Sequence, residues 1–495
     1  MLRANQLTSS QMQTALAAAQ WFPAAQLSSD ARKIKAGDVF VAYAFDAQHD
    51  GRAYINQACD NGAAAVLWQN DGEVLPCAVA NLGVAELNIL AGHIAHAHYG
   101  EPSSAMNMVA ITGTNGKTSC AQWLAQLLDA SQQKCALVGT LGVGFVGAMI
   151  ETGFTTPQAI EVHRLLADLR QQGAQATVME VSSHALEQGR VNGVAFDVAL
   201  FTNLSRDHLD YHGDMASYES AKAQLFTWQG LQTAVINLDD AVGQRMAQVA
   251  AEHGIDVIGY GLSVDADLRA TNIRSVGAQT VFDVHYAGKV FEVQSALVGE
   301  FNVMNLLGVL GVMRSLGFDL ASIIPLCANI AAAPGRMQRF GGAAQPLAVV
   351  DFAHTPDALD KTLRALAPIA LQRGGRLICV FGCGGDRDAG KRPQMGALAA
   401  ELCDQVWITS DNPRTESPSE IVQQIAAGAV GRAQILVEVE RRAAIAQAMA
   451  QATEHDVVLI AGKGHEAYQD IQGVKHPYSD LNEVERALTI WTRTI

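Results

Sequence analysis

Gly113-Thr114-Asn115-Gly116-Lys117-Thr118-Ser119 is the stretch of sequence that decides the fold. It follows an apolar run at residues 108–111, which predicts a buried strand, and it precedes a helix predicted over residues 120–130. A glycine-rich turn between strand and helix lets backbone N–H groups approach phosphates, with Lys117 near the outer phosphates and Thr118 on Mg²⁺. The strict motif has glycine where this sequence has Ile111. A phosphate-binding loop is still favoured over an ordinary glycine turn.

The composition of the 495-residue chain excludes several classes of protein. Lys plus Arg number 34 and Asp plus Glu number 49, a net charge of −15, which argues against a nucleic-acid partner. The eight cysteines form no C-x-x-C pair and no zinc-type spacing, so free thiols are expected. No signal peptide is recognisable and no apolar run approaches the length of a membrane span. The sequence therefore predicts a cytoplasmic protein without membrane insertion.

Three regions with different patterns predict three α/β domains. Residues 1–102 mix short strands with helices, and residues 103–337 alternate apolar strands with helices. The second pattern predicts a mainly parallel sheet, with a small antiparallel insertion at 265–300. Residues 338–495 resume the alternation and predict a Rossmann-like domain. Parallel α/β sheets bind ligands at the carboxyl ends of their strands, where nearly every polar cluster of this chain lies.

Two polar clusters follow predicted strands of the second region. Residues 177–180 end in Glu180, at the position where a P-loop protein places an acid beside Mg²⁺. Residues 203–210 combine two carboxylates, an amide and His208, and indicate either a metal or phosphate site or a solvated loop. Residues 182–184 read Ser-Ser-His, but no G-x-S-x-G elbow surrounds them, which disfavours a hydrolase.

Four more polar clusters follow predicted strands of the last region, at residues 351–357, 381–388, 411–414 and 462–466. Each alone is compatible with turn chemistry. Together they place arginines and carboxylates on one edge of the sheet. Such an edge suits a zwitterion with several charged ends, because Arg binds carboxylates bidentately and Glu accepts from ammonium groups.

The motifs together resemble the Mur ligase family, the ATP-dependent amino-acid ligases of peptidoglycan precursor synthesis. The segments that carry the resemblance run in order through nearly the whole chain: Gly113-Thr-Asn-Gly-Lys-Thr118, Met179-Glu-Val-Ser-Ser-His184, Asn203 to Asp210, Gly299-Glu-Phe-Asn302 with Asn305, and Asp351-Phe-Ala-His354-Thr-Pro356. Asp411-Asn-Pro-Arg414, with Gly462 and Glu466, is similar to the members that add meso-diaminopimelate to UDP-N-acetylmuramoyl-L-alanyl-D-glutamate through an acyl phosphate.

The resemblance implies ATP and Mg²⁺ as cofactors, small-molecule substrates as partners, and a monomer. The implied catalytic residues are Lys117, His208 and Lys222, the last as a carbamylated lysine. The implied ATP-binding residues are Gly113, Thr114, Asn115, Gly116, Lys117, Thr118, Ser119, Asn305, Arg336 and Asp351. The implied metal ligands are Thr118, Glu180, His208 and Lys222. The implied residues for UDP-muramoyl-dipeptide are Ser29, Thr155, Thr156, Ser182, Gln188 and Arg190, and those for diaminopimelate are Arg387, Asp411, Asn412, Pro413, Arg414, Gly462 and Glu466.

Four positions depart from the family pattern. Ala31 stands where serine is usual and removes a hydroxyl expected on uridine, and Phe45 replaces a common glycine. Phe154 stands where asparagine is frequent, and Phe352 replaces a common tyrosine. These departures concern individual nucleotide-sugar contacts and not the reaction.

Three other functions remain as alternatives. A ligase of the same family that adds L-lysine is the nearest, but Arg414 would repel the lysine ε-ammonium. A folylpolyglutamate synthetase-like enzyme is disfavoured by the Asn-Pro-Arg cluster and the uridine-type first region. A nucleotide-dependent switch without catalysis has little support, because the sequence contains no Asn-Lys-x-Asp guanine signature.

Overall fold

The protein is described by a computed structural model over residues 7–45, 49–72, 77–276 and 279–492. Within these ranges, three sheets of four, eleven and six strands follow one another along the chain. Each is covered by helices, which confirms the predicted three-part α/β fold class. The predicted domain boundaries at residues 102 and 337 lie between these sheets and stay predictions. No helix in the described ranges combines the length and apolarity needed to cross a bilayer.

The first sheet is parallel, with strand order β1-β2-β3-β4. Its strands are β1 (Leu27–Ser28), β2 (Val39–Ala42), β3 (Ala65–Gln69) and β4 (Ala80–Val84), and its helices are α1 (Ser9–Ala19), α2 (Ile55–Asp60) and α3 (Leu87–His98). β2 is buried at every position, which explains why it is apolar throughout instead of alternating.

Helix α3 packs against the second domain so closely that backbone meets backbone at two glycines. A Cβ atom on Gly92 would lie 2.1 Å from the carbonyl oxygen of Asn192, in the turn after residue 189. A Cβ atom on Gly193 would lie 2.9 Å from the carbonyl carbon of Gly92. Both glycines are therefore needed for this close backbone approach.

The second sheet has strand order β15-β14-β13-β12-β11-β10-β5-β9-β6-β7-β8. Its strands are β5 (Asn107–Thr112), β6 (Cys135–Gly139), β7 (Gly142–Phe145), β8 (Ala148–Ile150), β9 (Ala176–Glu180), β10 (Val198–Phe201), β11 (Thr233–Asn237), β12 (Asp256–Gly261), β13 (Leu268–Val276), β14 (Gln279–Tyr286) and β15 (Lys289–Ser295). Its helices are α4 (Lys117–Ala130), α5 (Ala159–Gln171), α6 (Ser183–Glu187), α7 (Leu209–His212), α8 (Met215–Ala223), α9 (Ala241–Glu252), α10 (Glu300–Ser315) and α11 (Leu320–Ile323).

Strands β12 to β6 of this sheet run parallel, and both edges are antiparallel. The expected antiparallel insertion is β13–β15, and it continues the main sheet because β13 pairs in parallel with β12. The neighbours of β5 are β10 and β9. The chain passes from β5 to β6 on one side of the sheet and from β10 to β11 on the other side. The phosphate-binding motif follows β5, so it lies at the topological switch point where such sheets bind ligands.

The third sheet has strand order β16-β17-β21-β18-β19-β20, with β16 antiparallel at one edge. Its strands are β16 (Gln338–Gly341), β17 (Leu347–Asp351), β18 (Leu377–Phe381), β19 (Gln405–Ile408), β20 (Gln434–Val437) and β21 (Val457–Ala461), followed by the hairpin β22 (Tyr468–Ile471) and β23 (Val474–Pro477). Its helices are α12 (Pro356–Arg373), α13 (Lys391–Leu402), α14 (Pro418–Gly428), α15 (Arg441–Gln451) and α16 (Asp480–Ile490). The loops after β17, β18, β19 and β21 leave the sheet at the same edge.

Candidate functional site

The loop between β5 and α4 is shaped by two glycines with positive φ. Gly113 has φ 143° and Gly116 has φ 90°. A Cβ atom on Gly113 would lie 2.0 Å from the hydroxyl of Thr202, and one on Gly116 would lie 2.5 Å from Asn305 Oδ1. No other residue type fits either position. Asn305, which comes from α10, is thereby placed directly against the loop.

Lys117 begins helix α4, and its ammonium bends back over the loop. Nζ donates to the carbonyl oxygens of Gly113 at 2.7 Å and Thr114 at 2.9 Å. Burial lowers the pKa of Lys117. Free N–H groups of the first helical turn, which includes Ser119, lie at the same end of the helix. The loop therefore presents an ammonium and a helix N-terminus, which together suit a phosphate group.

Glu180, at the end of β9, lies beside the threonine of the loop. Its Oε2 accepts from the Thr118 hydroxyl at 2.9 Å, and Oε1 accepts from the backbone N–H of Thr140 at 2.9 Å. Arg336 Nη2 donates to the same Thr118 hydroxyl at 3.2 Å. The Thr118 hydroxyl therefore contacts both the Glu180 carboxylate and the Arg336 guanidinium, which comes from the segment before the third sheet.

The oxygens of Glu180 and Thr118 suit a Mg²⁺ ion that is coordinated mainly by phosphate oxygens of a bound nucleotide. No group of three or more His, Cys, Asp or Glu side chains able to hold a metal occurs in the described part of the chain. A complete protein cage is therefore not available here. One carboxylate and one hydroxyl, from Glu180 and Thr118, are the donor set with which Mg²⁺ binds when phosphate oxygens and water complete its shell.

Lys222, on α8, lies behind the loop and is only 1% exposed. Its Nζ donates to the Gly113 carbonyl oxygen at 3.1 Å and lies 4.6 Å from the centre of the Tyr218 ring. Burial and then the charge of Lys117 hold the pKa of Lys222 well below its usual value. A neutral amine is thereby favoured at this position, and a neutral amine is the form that can react with carbon dioxide.

His208 lies at the turn before α7 with φ 55°. Its Nε2 lies 3.3 Å from Asp207 Oδ2, and its ring centre lies 5.1 Å from that of His184. Burial, opposed by Asp207, lowers the pKa of His208 to about 4. The ring is therefore neutral near pH 7 and offers a nitrogen lone pair.

The residues assigned to the muramoyl dipeptide lie together beyond Glu180. The Thr156 hydroxyl donates to the Glu180 carbonyl oxygen at 2.8 Å, and Arg190 Nη1 donates to the Thr156 carbonyl oxygen at 3.1 Å. Arg190 Nε donates to Gln188 Oε1 at 2.8 Å. Ser182 caps α6 by accepting from a backbone N–H at 3.2 Å. One hydrogen-bonded group thus contains four of the six assigned residues.

The other two assigned residues extend this group. The hydroxyls of Thr155 and Thr140 lie 3.1 Å apart. Ser29, from the first domain, forms a hydrogen bond with Tyr43. Burial raises the pKa of Tyr43, and the nearby charge of Arg190 opposes this increase. The geometry therefore forms a continuous polar path from the first domain to Glu180.

Asp351 and Arg336 meet at the start of the third domain. Asp351 accepts from the backbone N–H groups of Met337 at 2.8 Å and Ala353 at 2.9 Å. Burial raises the pKa of Asp351, and burial lowers the pKa of Arg336. The guanidinium lies 4.2 Å from the centre of the Phe352 ring. Phe352, at the place of a common tyrosine, is thus a cation–π partner that needs no hydroxyl.

A cavity of about 150 Å³ opens between the second and third domains. Six of the seven residues assigned to diaminopimelate line this cavity, and the seventh, Pro413, does not. Its lining residues are Asp207, His208, Asp210, Phe352, His354, Gly382, Cys383, Gly384, Arg387, Asp388, Lys391, Asp411, Asn412, Arg414, Gly462 and Glu466. Charges of both signs surround the space, as a zwitterionic ligand requires.

Hydrogen bonds fix several of these cavity residues. Asn412 Nδ2 donates to Glu466 Oε2 at 2.8 Å, and Arg414 Nη1 donates to the Gly385 carbonyl oxygen at 2.6 Å. A Cβ atom on Gly462 would lie 2.6 Å from Asp411 Oδ2, so a glycine is required there. Arg387 Nη1 lies 3.9 Å from Asp210 Oδ2, across the boundary between the domains.

Two residues of the site had no role in the sequence analysis. Lys463 is fully buried, and its Nζ donates to Asn412 Oδ1 at 2.9 Å and Glu466 Oε2 at 2.8 Å. Lys463 lies in the polar cluster at residues 462–466, after β21, so the sequence could have indicated its role. Thr140 donates to Glu180 through both its backbone N–H and its hydroxyl, but nothing in the sequence around it singled it out.

Comparisons with known proteins agree with this geometry. The family described as "Mur ligase middle domain" matches residues 111–313, and the one described as "Mur ligase, glutamate ligase domain" matches residues 335–464. A relative from Ralstonia nicotianae, named UDP-N-acetylmuramoyl-L-alanyl-D-glutamate--2,6-diaminopimelate ligase, is 51% identical over 479 residues, covering 94% of this chain and 93% of the relative. A relative of the same name from Neisseria meningitidis is 48% identical over 470 residues, covering 93% of this chain and 94% of the relative.

Solved structures extend the comparison. One titled as the structure of a UDP-N-acetylmuramoyl-L-alanyl-D-glutamate--2,6-diaminopimelate ligase is 36% identical, with a TM-score of 0.66 and 94% of each chain covered. A MurF ligase from Thermotoga maritima, solved with ADP, has a TM-score of 0.66 at 18% identity, covers 95% of this chain and 98% of its own, and shows the shared fold alone. The matches cover both the phosphate-binding loop and the cavity, and the chain belongs to the Mur ligase family.

Proposed function

We propose that this chain is an ATP-dependent ligase that joins meso-diaminopimelate to the D-glutamate of UDP-N-acetylmuramoyl-L-alanyl-D-glutamate, in peptidoglycan precursor synthesis. The observation that carries the proposal is the cavity between the domains. Its walls place Arg387, Arg414 and Glu466 around a space that faces the phosphate-binding loop through Asp207 and His208. Relatives that bear the name of this activity support the choice of substrates.

The reaction needs activation because a carboxylate does not form an amide spontaneously in water. A glutamate carboxylate oxygen attacks the terminal phosphorus of ATP, the bond to the bridging oxygen breaks, and ADP leaves. The neutral amine then attacks the acyl carbon, a C–N bond forms, and phosphate leaves with the electrons of the C–O bond. The nitrogen gives up one proton, which the departing phosphate can accept. Negative charge develops in both steps, and Lys117 and the first turn of α4 are placed to stabilise it.

The residues of the loop divide the binding of ATP between them. Gly113 to Ser119 would enclose the phosphates, and Asn305, Arg336 and Asp351 would bind the nucleotide from the junction between the domains. Thr118 and Glu180 would hold Mg²⁺, with His208 and Lys222 serving a second metal position. Bound Mg²⁺ supplies neutralisation of phosphate charge.

Lys222 would act as a carbamate. Its neutral amine would add to carbon dioxide and lose a proton, which converts a cationic side chain into a carboxylate-like anion. The buried position beside Gly113 supports this role, because the unmodified cation has no acidic partner within hydrogen-bonding distance in the described ranges.

The substrates divide between the domains. Thr155, Thr156, Ser182, Gln188, Arg190 and Ser29 would bind UDP-muramoyl-dipeptide along the path described above. Arg387, Asp411, Asn412, Arg414, Gly462 and Glu466 would bind diaminopimelate, with Pro413 shaping the turn between Asn412 and Arg414. A monomer suffices for this arrangement, because the polar path and the cavity are both formed by one chain.

The alternative amino acid is L-lysine. Arg414 disfavours it, since a guanidinium attracts the distal carboxylate of diaminopimelate and repels an ε-ammonium. Arg414 itself is held by Gly385, so its charge is fixed in the cavity.

The test is a phosphate-release assay with ATP, Mg²⁺, UDP-muramoyl-dipeptide and a panel of amino acids, with the product identified by mass. We expect diaminopimelate to give the tripeptide nucleotide and ADP, with L-lysine at least about a hundredfold poorer, which corresponds to about 2.7 kcal/mol. Lys117→Ala is the control that lacks the phosphate-binding ammonium and should be inactive while folded. Equal use of L-lysine would reject the assigned amino acid, and no product with any of the panel would reject the function.

A further inference from the structure

Lys391 is a buried cation whose ammonium forms no hydrogen bond or ion pair with the residues that the structure describes. It is the first residue of α13, it is 8% exposed, and it lines the cavity between the second and third domains. Within the described ranges, no acceptor lies at hydrogen-bonding or ion-pair distance of its Nζ. The adjacent Arg392 contrasts with it, because Arg392 forms an ion pair with Glu416 at 2.8 Å.

The carboxylates nearest to Lys391 along the cavity are engaged with other groups. Asp388 accepts from Arg206 Nε at 3.0 Å and from the backbone N–H of Gly390 at 2.9 Å. Asp207 accepts from the backbone N–H of His208 at 3.0 Å and lies 3.8 Å from His354 Nε2. Against the effect of burial, His354 and Lys391 both lower the pKa of Asp207, and Arg206 and Lys391 both lower that of Asp388. Neither carboxylate forms an ion pair with Lys391, so an anion bound in the cavity would be stabilised by direct contact with this buried ammonium.

The position of Lys391 indicates which part of the reaction it serves. Lys391 belongs to the third domain, as Arg414 and Glu466 do, but its charge also acts on Asp207 of the second domain across the cavity. The second domain carries the phosphate-binding loop. Lys391 is therefore on the side of the cavity that faces the reacting groups, and the N-terminus of α13 adds a partial positive charge there.

We propose that Lys391 binds an anionic oxygen of the reacting complex, a role that rests on the proposed ligase function. Two groups carry such an oxygen at this point of the reaction. One is the carboxylate next to the attacking amine of the diamino diacid, and the other is the phosphoryl group of the acyl phosphate. Both would lie in the cavity beside an ammonium that makes no direct ion pair in the described part of the chain.

The experiment compares the full-length wild type with Lys391→Met, Lys391→Arg and the matched control Lys289→Met, which removes an exposed lysine from the β14–β15 hairpin. Steady-state ligation gives kcat and the KM for diaminopimelate. A second assay omits the amino acid and traps the acyl phosphate with hydroxylamine, as a hydroxamate. A charged hydrogen bond predicts a loss of at least about tenfold in Lys391→Met in one of the two assays. Lys391→Arg should recover part of it, and Lys289→Met should match the wild type.

The two sources of the anion separate cleanly. A higher KM with unchanged hydroxamate formation identifies the carboxylate, and slower hydroxamate formation with unchanged KM identifies the phosphoryl group. Effects within twofold in both assays, in a variant whose thermal midpoint matches the wild type, overturn the inference. If Lys391→Met does not fold, Lys391→Gln is measured by the same criteria. A wild type that forms no product would reject the ligase function instead, so the two failures are distinguishable.

Discussion

Lys463 is a single buried charge on which two cavity residues depend. It donates to both Asn412 and Glu466, and Asn412 also donates to Glu466. Lys463 therefore neutralises the charge of the Glu466 carboxylate and fixes the orientation of the Asn412 amide. Without it, the Glu466 carboxylate would turn toward whatever cation lies in the cavity or toward water.

We expect Lys463→Met to raise the KM for diaminopimelate by about tenfold or more, about 1.4 kcal/mol, because Glu466 loses its ion-pair partner and the Asn412 amide loses the donor that orients it. Hydroxylamine trapping of the acyl phosphate, measured without the amino acid, should stay at the wild-type rate. Steady-state kinetics of the folded Lys463→Met variant measure both quantities, and Lys289→Met is the control for the loss of one positive charge. An unchanged KM would contradict a positioning role for Lys463.

Individual residues were predictable where the backbone position itself carries the chemistry. Lys117 and Thr118 follow a glycine turn, and Glu180 ends a strand, so each could be assigned from local sequence. Thr140 could not, because its two hydrogen bonds to Glu180 exist only when β6 and β9 pair. The same holds for Lys391, because the cavity that it lines is formed by residues of two domains.

At the scale of elements, helix α5 carries a histidine that the fold keeps neutral. His163 is fully buried, and its Nε2 lies 2.8 Å from the carbonyl oxygen of Asn192, which can only accept. Nε2 therefore carries the hydrogen, and Nδ1 is buried without a partner. Burial lowers the pKa of His163 to about 3. A proton on Nδ1 would have no acceptor in the folded protein.

This arrangement predicts a loss of stability in mild acid. With a pKa near 6.5 when unfolded and about 3 when folded, the unfolded chain takes up the proton first, so stability is complete above pH 6.5 and falls below it. The contribution of His163 should fall by about 2 kcal/mol between pH 8 and pH 5. Urea unfolding of the wild type and His163→Gln at both pH values measures it. A difference between the two proteins that does not change with pH would rule it out.

Elements were predictable where burial makes them continuously apolar. Strands such as β10 and β18 are buried at every position and contain only apolar residues, which is what the alternation of apolar strands and helices predicts. The edge pair β7–β8 was missed, since its Gly142 and Gly144 have positive φ and read as turn residues. Helix α4 begins at Lys117, three residues before the predicted start, because the first turn is part of the phosphate-binding loop itself.

At the scale of the whole molecule, the second and third domains meet through the apolar residues Val298 and Phe301 and through polar contacts at the cavity. Arg206 Nε lies 3.0 Å from Asp388 Oδ2, and Asn115 Nδ2 donates to Asp357 Oδ2 at 3.2 Å. Arg206 is 49% exposed in its side chain, so the pair adds little to the stability of either domain. It can instead favour the arrangement in which the cavity faces the phosphate-binding loop.

We expect Arg206→Glu to lower kcat/KM severalfold while changing the free energy of unfolding by less than about 1 kcal/mol. The exchanged pair Arg206→Glu with Asp388→Arg should recover part of the activity, because it restores attraction between the domains. Kinetics at low and high salt provide the comparison, since added salt should weaken the effect. A double variant no more active than the single variants would show that the ion pair does not control the arrangement.

The architecture of the whole chain was predictable in its parts but not in its assembly. The three α/β regions follow from strand–helix alternation, and both the fold class and the Mur ligase family are confirmed. The cavity was not predictable from any one segment, because it needs Asp210 and Arg387 to face each other across a domain boundary. The site roles and the exact boundaries between domains stay predictions.

Gly92 and Gly193, where the first and second domains touch backbone to backbone, have a consequence for the choice of acceptor. A contact without room for a methyl group resists sliding at this point, and Asn192 Nδ2 also donates to the Ile89 carbonyl oxygen of α3 at 3.2 Å. We therefore expect the separation between Ser29 and the loop at Gly113 to vary little. An acceptor one residue shorter or longer between its sugar and its terminal carboxylate would then fail to reach the phosphorus atom. Discrimination by length would thus arise far from the reacting atoms, from the absence of two side chains.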